Sequence, residues 1–155
     1  MPVFVVLVNY LCNFVVLIYD YMEQIRDFSQ LVAHLQSCKH RNRVAVVCGY
    51  DEHSQYAITR ALKEGFAEFV LVGEVLKLQP YLDKLSQYEN FVKVVDSADV
   101  ESAAAKTVQL VREGQVDCIM KGIINTDVLL KAILNKECGI LKKGRALTHI
   151  AALEI

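Results

Sequence analysis

The stretch "RVAVVCGYDEHSQYAITRALKEGFAEFVLVGE", residues 43–74, decides the fold. "RVAVVCGY" (43–50) is a short β-branched run that reaches Gly49. "SQYAITRALKEG" (54–65) has helical period and stops at Gly65. "AEFVLVGE" (67–74) is a second apolar run ending on Gly73. Neither run alternates apolar with polar, so each predicts a strand buried on both faces. A helix between two such strands predicts a parallel β-α-β unit.

The same rhythm continues outward from this unit. "VLKLQPYLDKLSQY" (75–88) is a helix in which Pro80 limits where the first turn can lie. "FVKVVDSAD" (91–99) is a strand. "VESAAAKTVQLVREG" (100–114) is a helix with Asp99 as cap and Gly114 as stop. "VDCIMKG" (116–122) is a strand, "NTDVLLKAILNKE" (125–137) a helix and "ALTHIAALEI" (146–155) a fifth strand. Upstream, "MEQIRDFSQLVAHLQSCKH" (22–40) begins an amphipathic helix at Met22, with Ile25, Phe28, Leu31, Val32 and Leu35 on one face. The expected architecture is α/β, a parallel sheet in a three-layer αβα domain.

Residues 1–21, "MPVFVVLVNYLCNFVVLIYDY", stand apart. From Pro2 to Tyr19 the segment carries no charge, and its length is near the lower limit for a membrane span. It lacks the basic start and small-residue cleavage site of a signal peptide, and no Lys or Arg flanks it closely. Its Val, Phe, Tyr and Ile favour strands. The segment reads as an apolar extension outside the domain, with Met22 as the biological start. A membrane anchor, an extra strand and a buried segment are the other readings.

The 155 residues suit one domain, and a hydrophobic content of 54% with net charge −1 is globular composition with no electrostatic case for nucleic acid. The cysteines, Cys12, Cys38, Cys48, Cys118 and Cys138, form no C-x-x-C pair. Their odd count argues against a disulfide framework and for a reduced, cytoplasmic setting. Cys48 and Cys118 lie in apolar runs and read as core residues. His34, His40, His53 and His149 show no metal-ligand spacing, so no metal is expected.

In a parallel sheet, ligands bind beyond the carboxyl ends of the strands. The loops there are "CGYDEHS", "VGEV", "DSAD" and "KGIINTD". None carries G-x-G-x-x-G or G-x-x-x-x-G-K-[ST], which excludes the dinucleotide fingerprint and the P-loop. Asp51 or Ser54 reads as a helix cap. In "MKGIINTD", Lys121 ends a strand, Gly122 permits a close turn, and Asn125 and Thr126 open a helix. Backbone N–H groups, a hydroxyl and an ammonium would converge there, which suits an anion. Asp127 counts against it, and the bland reading is a loop with a capping Thr and a solvated Lys. Arg145 can clamp a phosphate, though "KKGR" also reads as a solvated loop. His149 reads as a structural histidine.

Taken together, "MKGIINTDVLLKAILNKECGILKKGRALTHIAALEI" (120–155) resembles the phosphate acetyl/butyryltransferase family, most nearly its butyryl members. The first β-α-β unit and "DSADVESAAAKTVQLVREGQVD" (96–117) are similar to the same family. The resemblance runs from about Met22 to Ile155. It implies the N-terminal half of a two-domain fold of the isocitrate/isopropylmalate dehydrogenase kind, with the active site in the cleft between domains and the chain truncated at its C-terminus. It implies the reaction acyl-CoA plus phosphate gives acyl phosphate plus CoA, with coenzyme A as substrate or product, no resident cofactor and a homo-oligomeric full-length enzyme. Lys121, Gly122, Asn125, Thr126 and Arg145 would then bind phosphate, and Thr148 and His149 would line the cleft. The family's catalytic Ser, Arg and Asp would lie in the other half, leaving this chain inactive alone. Two alternatives stay open: a different two-domain enzyme of the wider isocitrate/isopropylmalate dehydrogenase-like group, against which the lack of a metal-binding Asp cluster argues, and a non-catalytic anion-binding or membrane-tethered module.

Overall fold

The computed structural model describes residues 6–7, 25–142 and 144–148. Most of the 1–21 segment, His149 and the rest of the expected last strand lie outside the described residues.

Four strands form the parallel sheet: β2 (Asn42–Val47), β3 (Ala67–Gly73), β4 (Val92–Asp96) and β5 (Cys118–Lys121). A two-residue strand, β1 (Val6–Leu7), lies antiparallel along β5, giving the order β1-β5-β2-β3-β4. The helices are α1 (Phe28–Ser37), α2 (Glu52–Glu64), α3 (Val75–Leu82), α4 (Val100–Arg112) and α5 (Thr126–Ile133).

The two-residue alternation of strands splits β2 between two cores. Ala45 and Val47 face one side with Val72 and Ile119, under Ala104, Val108, Leu129 and Ile133 of α4 and α5. Val46 faces the other with Phe69, Leu71 and Met120, under Ile58, Leu62, Leu78 and Tyr81 of α2 and α3. The three layers are those expected. The edge strand β4 departs from the expectation of burial on both faces. It has a neighbour on one side only among the described residues, and Val94 is 36% exposed.

Helix ends follow local chemistry. Asp51 caps α2, its carboxylate accepting from the Ser54 N–H (2.9 Å) and hydroxyl (2.7 Å). Gly65 ends α2 in left-handed backbone at φ 78°. Asp99 and Ser102 close a reciprocal capping box on α4.

Several expected elements differ. The helix expected over 75–88 ends at Leu82 and continues as a 3₁₀ stretch, Asp83–Phe91. Pro80 sits inside α3, beyond its first turn. The helix tolerates the missing N–H because Leu78 and Tyr81 on either side are packed in the core, with the Tyr81 hydroxyl donating to the Gln55 carbonyl (2.8 Å). Helix α1 begins at Phe28, capped by Asp27, and none of its residues is buried. Ile25, Phe28 and Leu31 stay 41%, 42% and 36% exposed, so among the described residues the amphipathic face has no core beneath it. Helix α5 stops at Ile133, not at Glu137. The Asn135 side chain accepts from the N–H groups of Glu137 and Cys138 and turns the chain back, and the Ile140 N–H reaches the Ile133 carbonyl. Residues 146–148 are exposed and not strand, so the described start of the expected 146–155 strand is irregular. Cys118 is only partly buried.

Candidate functional site

The sheet order creates a crevice. The chain enters at β2, moves outward to β3 and β4, and returns through α4 to β5 on the other side of β2. The loops after β2 and β5 thus leave for opposite faces, one to α2 and one to α5, and part between adjacent strands. That switch point is where open α/β sheets bind ligands.

Here the two loops meet backbone to backbone. The Gly122 N–H donates to the Val47 carbonyl (2.9 Å) and the Ile123 N–H to the Cys48 carbonyl (2.8 Å). The Tyr50 N–H donates to that same Cys48 oxygen (2.9 Å). Cys48 occupies left-handed backbone at φ 53°, uncommon for a residue with a side chain. A Cβ at Gly122 would fall on the Cys48 carbonyl and lie 2.7 Å from the Val47 oxygen. Gly122 is therefore required for the contact.

Tyr50 ties in the loop after β3. Its hydroxyl accepts from the Glu74 N–H (2.6 Å), and its ring occupies the space over Gly73 that a side chain would fill. Burial pushes the Tyr50 phenol up to about 12, against the opposing Glu74 N–H, and burial likewise pushes the adjacent Cys48 thiol up. Both stay protonated at neutral pH. For Asp51, burial pushes the carboxyl up, but the Ser54 hydroxyl and N–H outweigh it and hold it below the usual range. Lys77 lies 5.5 Å from the Tyr50 ring centroid and 2.6 Å from Glu74.

Beyond Gly122 the loop opens α5. Ile124 is buried and anchors it. Asn125, not Thr126, is the cap residue, and its side chain makes no capping bond. The N–H groups of Val128 and Leu129 return to the Asn125 carbonyl, while Asn125, Thr126 and Asp127 are exposed. The bland reading of a capping Thr126 is therefore not what forms. Lys121 is half-buried, its ammonium 3.3 Å from the Gly122 carbonyl. Four of the expected residues, Lys121, Gly122, Asn125 and Thr126, share this one loop. Arg145 sits in a separate exposed turn closed by its own N–H to the Lys142 carbonyl (3.0 Å), beside Gly144 at φ 79°. Thr148 follows, exposed. His149 lies outside the described residues.

Sequence reasoning missed Cys48 as a backbone hub, Tyr50 as a tie between loops, and Ile123. The available signal was the pair Gly73 and Gly122 at two strand ends. Among the described residues no group of three His, Cys, Asp or Glu side chains could hold a metal, and no helix is long and apolar enough to cross a membrane.

No family model matches the chain. It is 35% identical over 130 residues to a phosphate butyryltransferase of Clostridium acetobutylicum, covering 84% of this chain and 42% of that protein. It is 29% identical, with the same coverage, to a phosphate butyryltransferase of Clostridium beijerinckii, and 29% identical over 113 residues to a phosphate acetyltransferase of Thermotoga maritima, covering 73% of this chain and 38% of that protein. A crystal structure of a branched-chain phosphotransacylase from Enterococcus faecalis V583 matches 60% of this chain and 33% of its own, at 30% identity and a TM-score of 0.49. The chain is similar to phosphate acyltransferases, phosphate butyryltransferase among them, and it spans about two-fifths of the length of the curated relatives it matches.

Proposed function

We propose that this chain supplies the phosphate-binding wall of an enzyme that interconverts acyl-CoA plus phosphate with acyl phosphate plus CoA. The observation that carries this reading is the Gly122–Thr126 loop. It lies at the switch point of a chain related to phosphate acyltransferases, and it is pinned by backbone bonds while its helix start has no side-chain cap.

A phosphate oxygen attacks the thioester carbonyl carbon, the carbonyl oxygen becomes an oxyanion, the C–S bond then breaks, and CoA leaves as a thiolate that takes up a proton. The attacking phosphate must be held and its charge offset. Backbone N–H groups at the start of α5 and the Thr126 hydroxyl do the first, with Asn125 beside them. Lys121 does the second, swinging from its weak contact with the Gly122 carbonyl, and Arg145 adds a second cation. Thr148 and His149 line the cleft. Coenzyme A is a substrate, not a resident cofactor. The proposal places residues 22–155 in this role, in a two-domain, cytoplasmic, homo-oligomeric enzyme of the isocitrate/isopropylmalate dehydrogenase kind. The groups that handle the CoA thiol belong to the part of the relatives' length outside the match, and residues 1–21 are an extension whose described residues, Val6–Leu7, add a short edge strand beside β5.

The test is a chimera in which this chain's matching segment replaces its counterpart in the Clostridium acetobutylicum protein. Butyryl-CoA/phosphate exchange by the chimera, none by the 155-residue chain alone, is the expected result. In the chimera, Arg145→Ala should lower kcat/KM for phosphate by roughly ten- to a hundredfold, and Thr126→Ala by less, with the KM for CoA little changed. A folded chimera without turnover contradicts the proposal, as does turnover by the chain alone. A chain begun at Met22 should keep the far-UV circular dichroism of the body; loss of it would contradict the role given to residues 1–21.

A further inference from the structure

Large exposed apolar side chains fall into a pattern. The three most exposed among the described residues are Leu76 at 89%, Tyr56 at 68% and Ile123 at 63%. Leu76 is in the first turn of α3, Tyr56 in the second turn of α2, and Ile123 in the loop after β5. All three stand toward the carboxyl end of the sheet, on the segments that leave β3, β2 and β5. A single exposed apolar residue needs no explanation. Ile123 is distinguished by how it is held.

Its own N–H is bonded to the Cys48 carbonyl (2.8 Å), and the preceding N–H, of Gly122, to the Val47 carbonyl (2.9 Å). The next residue, Ile124, is 5% exposed and packs in the core beside Leu129 and Ile133. Of two consecutive isoleucines, one is taken by the core and the other is held out by a fixed backbone. The outward one lies between Gly122 and Asn125, two residues of the proposed phosphate site.

We infer that Ile123 is a specificity-determining contact for the aliphatic acyl chain of the acyl phosphate. The inference rests on the reading of this loop as the phosphate site and names what binds beside the phosphate. In an acyl phosphate the carbonyl carbon is one bridging oxygen from phosphorus. A phosphoryl group on the backbone of this loop therefore carries its acyl chain within reach of the Ile123 side chain. A short aliphatic chain there covers apolar surface on both partners, and inorganic phosphate gains nothing from it. The contact favours longer aliphatic acyl groups over acetyl without altering the grip on phosphate.

The experiment is a titration of the full 155-residue chain, wild type and Ile123→Ala, with inorganic phosphate, acetyl phosphate and butyryl phosphate in turn, read by calorimetry or amide shifts. Circular dichroism checks that the variant is folded, and Ile123→Leu serves as the conservative control. The wild type should bind butyryl phosphate about tenfold more tightly than acetyl phosphate. Ile123→Ala should remove that preference and leave the affinity for inorganic phosphate within about twofold of wild type, and Ile123→Leu should keep most of it. Wild-type binding that is equal for the three anions overturns the role of Ile123 and leaves the phosphate site standing. A preference that survives in Ile123→Ala does the same. Binding of none of them overturns the phosphate site and this inference together.

Discussion

The crevice between β2 and β5 and the flanking segments, α1 and the turn at 142–148, are built on opposite principles. At the crevice, the backbones of two loops bond to each other, the Tyr50 hydroxyl ties in a third, two glycines admit close approach, and a non-glycine residue accepts left-handed backbone. In the flanks, no residue of α1 is buried and, among the described residues, Gly144 has nothing within 4 Å of where a Cβ would stand. Helix α1 is joined to the body by the Gln36 side-chain amide, which donates to the Glu64 carbonyl and carboxylate (3.0 Å each). The difference teaches where shape is specified. Loop geometry at the strand ends is set by contacts that tolerate no added atom, whereas the flanks tolerate much.

Core against flank gives the largest expected contrast. Ile58 in α2 is fully buried, so Ile58→Ala should cost about 2–5 kcal/mol. Phe28→Ala in α1 should cost less than about 1 kcal/mol, in line with substitutions away from the core. Urea melts of both would check this. A large loss at Phe28 would show that the α1 face is covered in solution.

Glycine against glycine comes next. Gly122→Ala puts a methyl group on the Cys48 carbonyl and should cost about 2–4 kcal/mol. Gly144→Ala meets no neighbour among the described residues and bears only the left-handed backbone at φ 79°, about 1–2 kcal/mol. Equal losses would mean that the crevice backbone yields easily, and the comparison would fail.

The alternation of strands and helices from 43 to 133 was legible because β-branched runs end on Gly or Asp and three of the four helices start after Asp or Asn. Strand order was not legible. Nothing in the local period says that β5 returns beside β2, and that return creates the crevice. The loop 121–126 could be singled out by its residue types, but not its support. Cys48 reads as a small core residue and is buried, yet its importance lies in its carbonyl, which no side-chain pattern reports. Tyr50 escaped for a related reason, since its partner is a backbone N–H in another loop. Helix α1 shows the limit of periodicity: an apolar face is written in the sequence, and what it packs against is not.

Smaller effects sharpen the picture at the ends of the sheet. Asp51→Ala removes the cap of α2 beside the crevice and should cost about 1 kcal/mol in thermal melts. At the opposite end, Arg43 on β2 grips Asp117 ahead of β5 through bonds of 2.8 and 3.1 Å. The bonds from the Arg43 side chain hold the Asp117 carboxyl below its usual range, with burial opposing. Both side chains are more than 40% exposed, so the pair should contribute under about 1 kcal/mol. Because the folded pKa is depressed, that contribution is present above the unfolded value of about 4 and lost as pH falls through the folded one. The difference in Tm between wild type and Asp117→Ala should stay constant near neutrality and shrink below about pH 4. A difference that grows on acidification would contradict the assignment.

The phosphate role proposed for the crevice is tested most directly by titrating the ¹⁵N-labelled 155-residue chain with inorganic phosphate and following its amides. The amides of Gly122, Ile123, Thr126 and Asp127 should shift together and saturably. Lys121→Ala should weaken the effect and sulfate should compete. Shifts confined to other loops, or no saturable shift at the start of α5, would contradict the account.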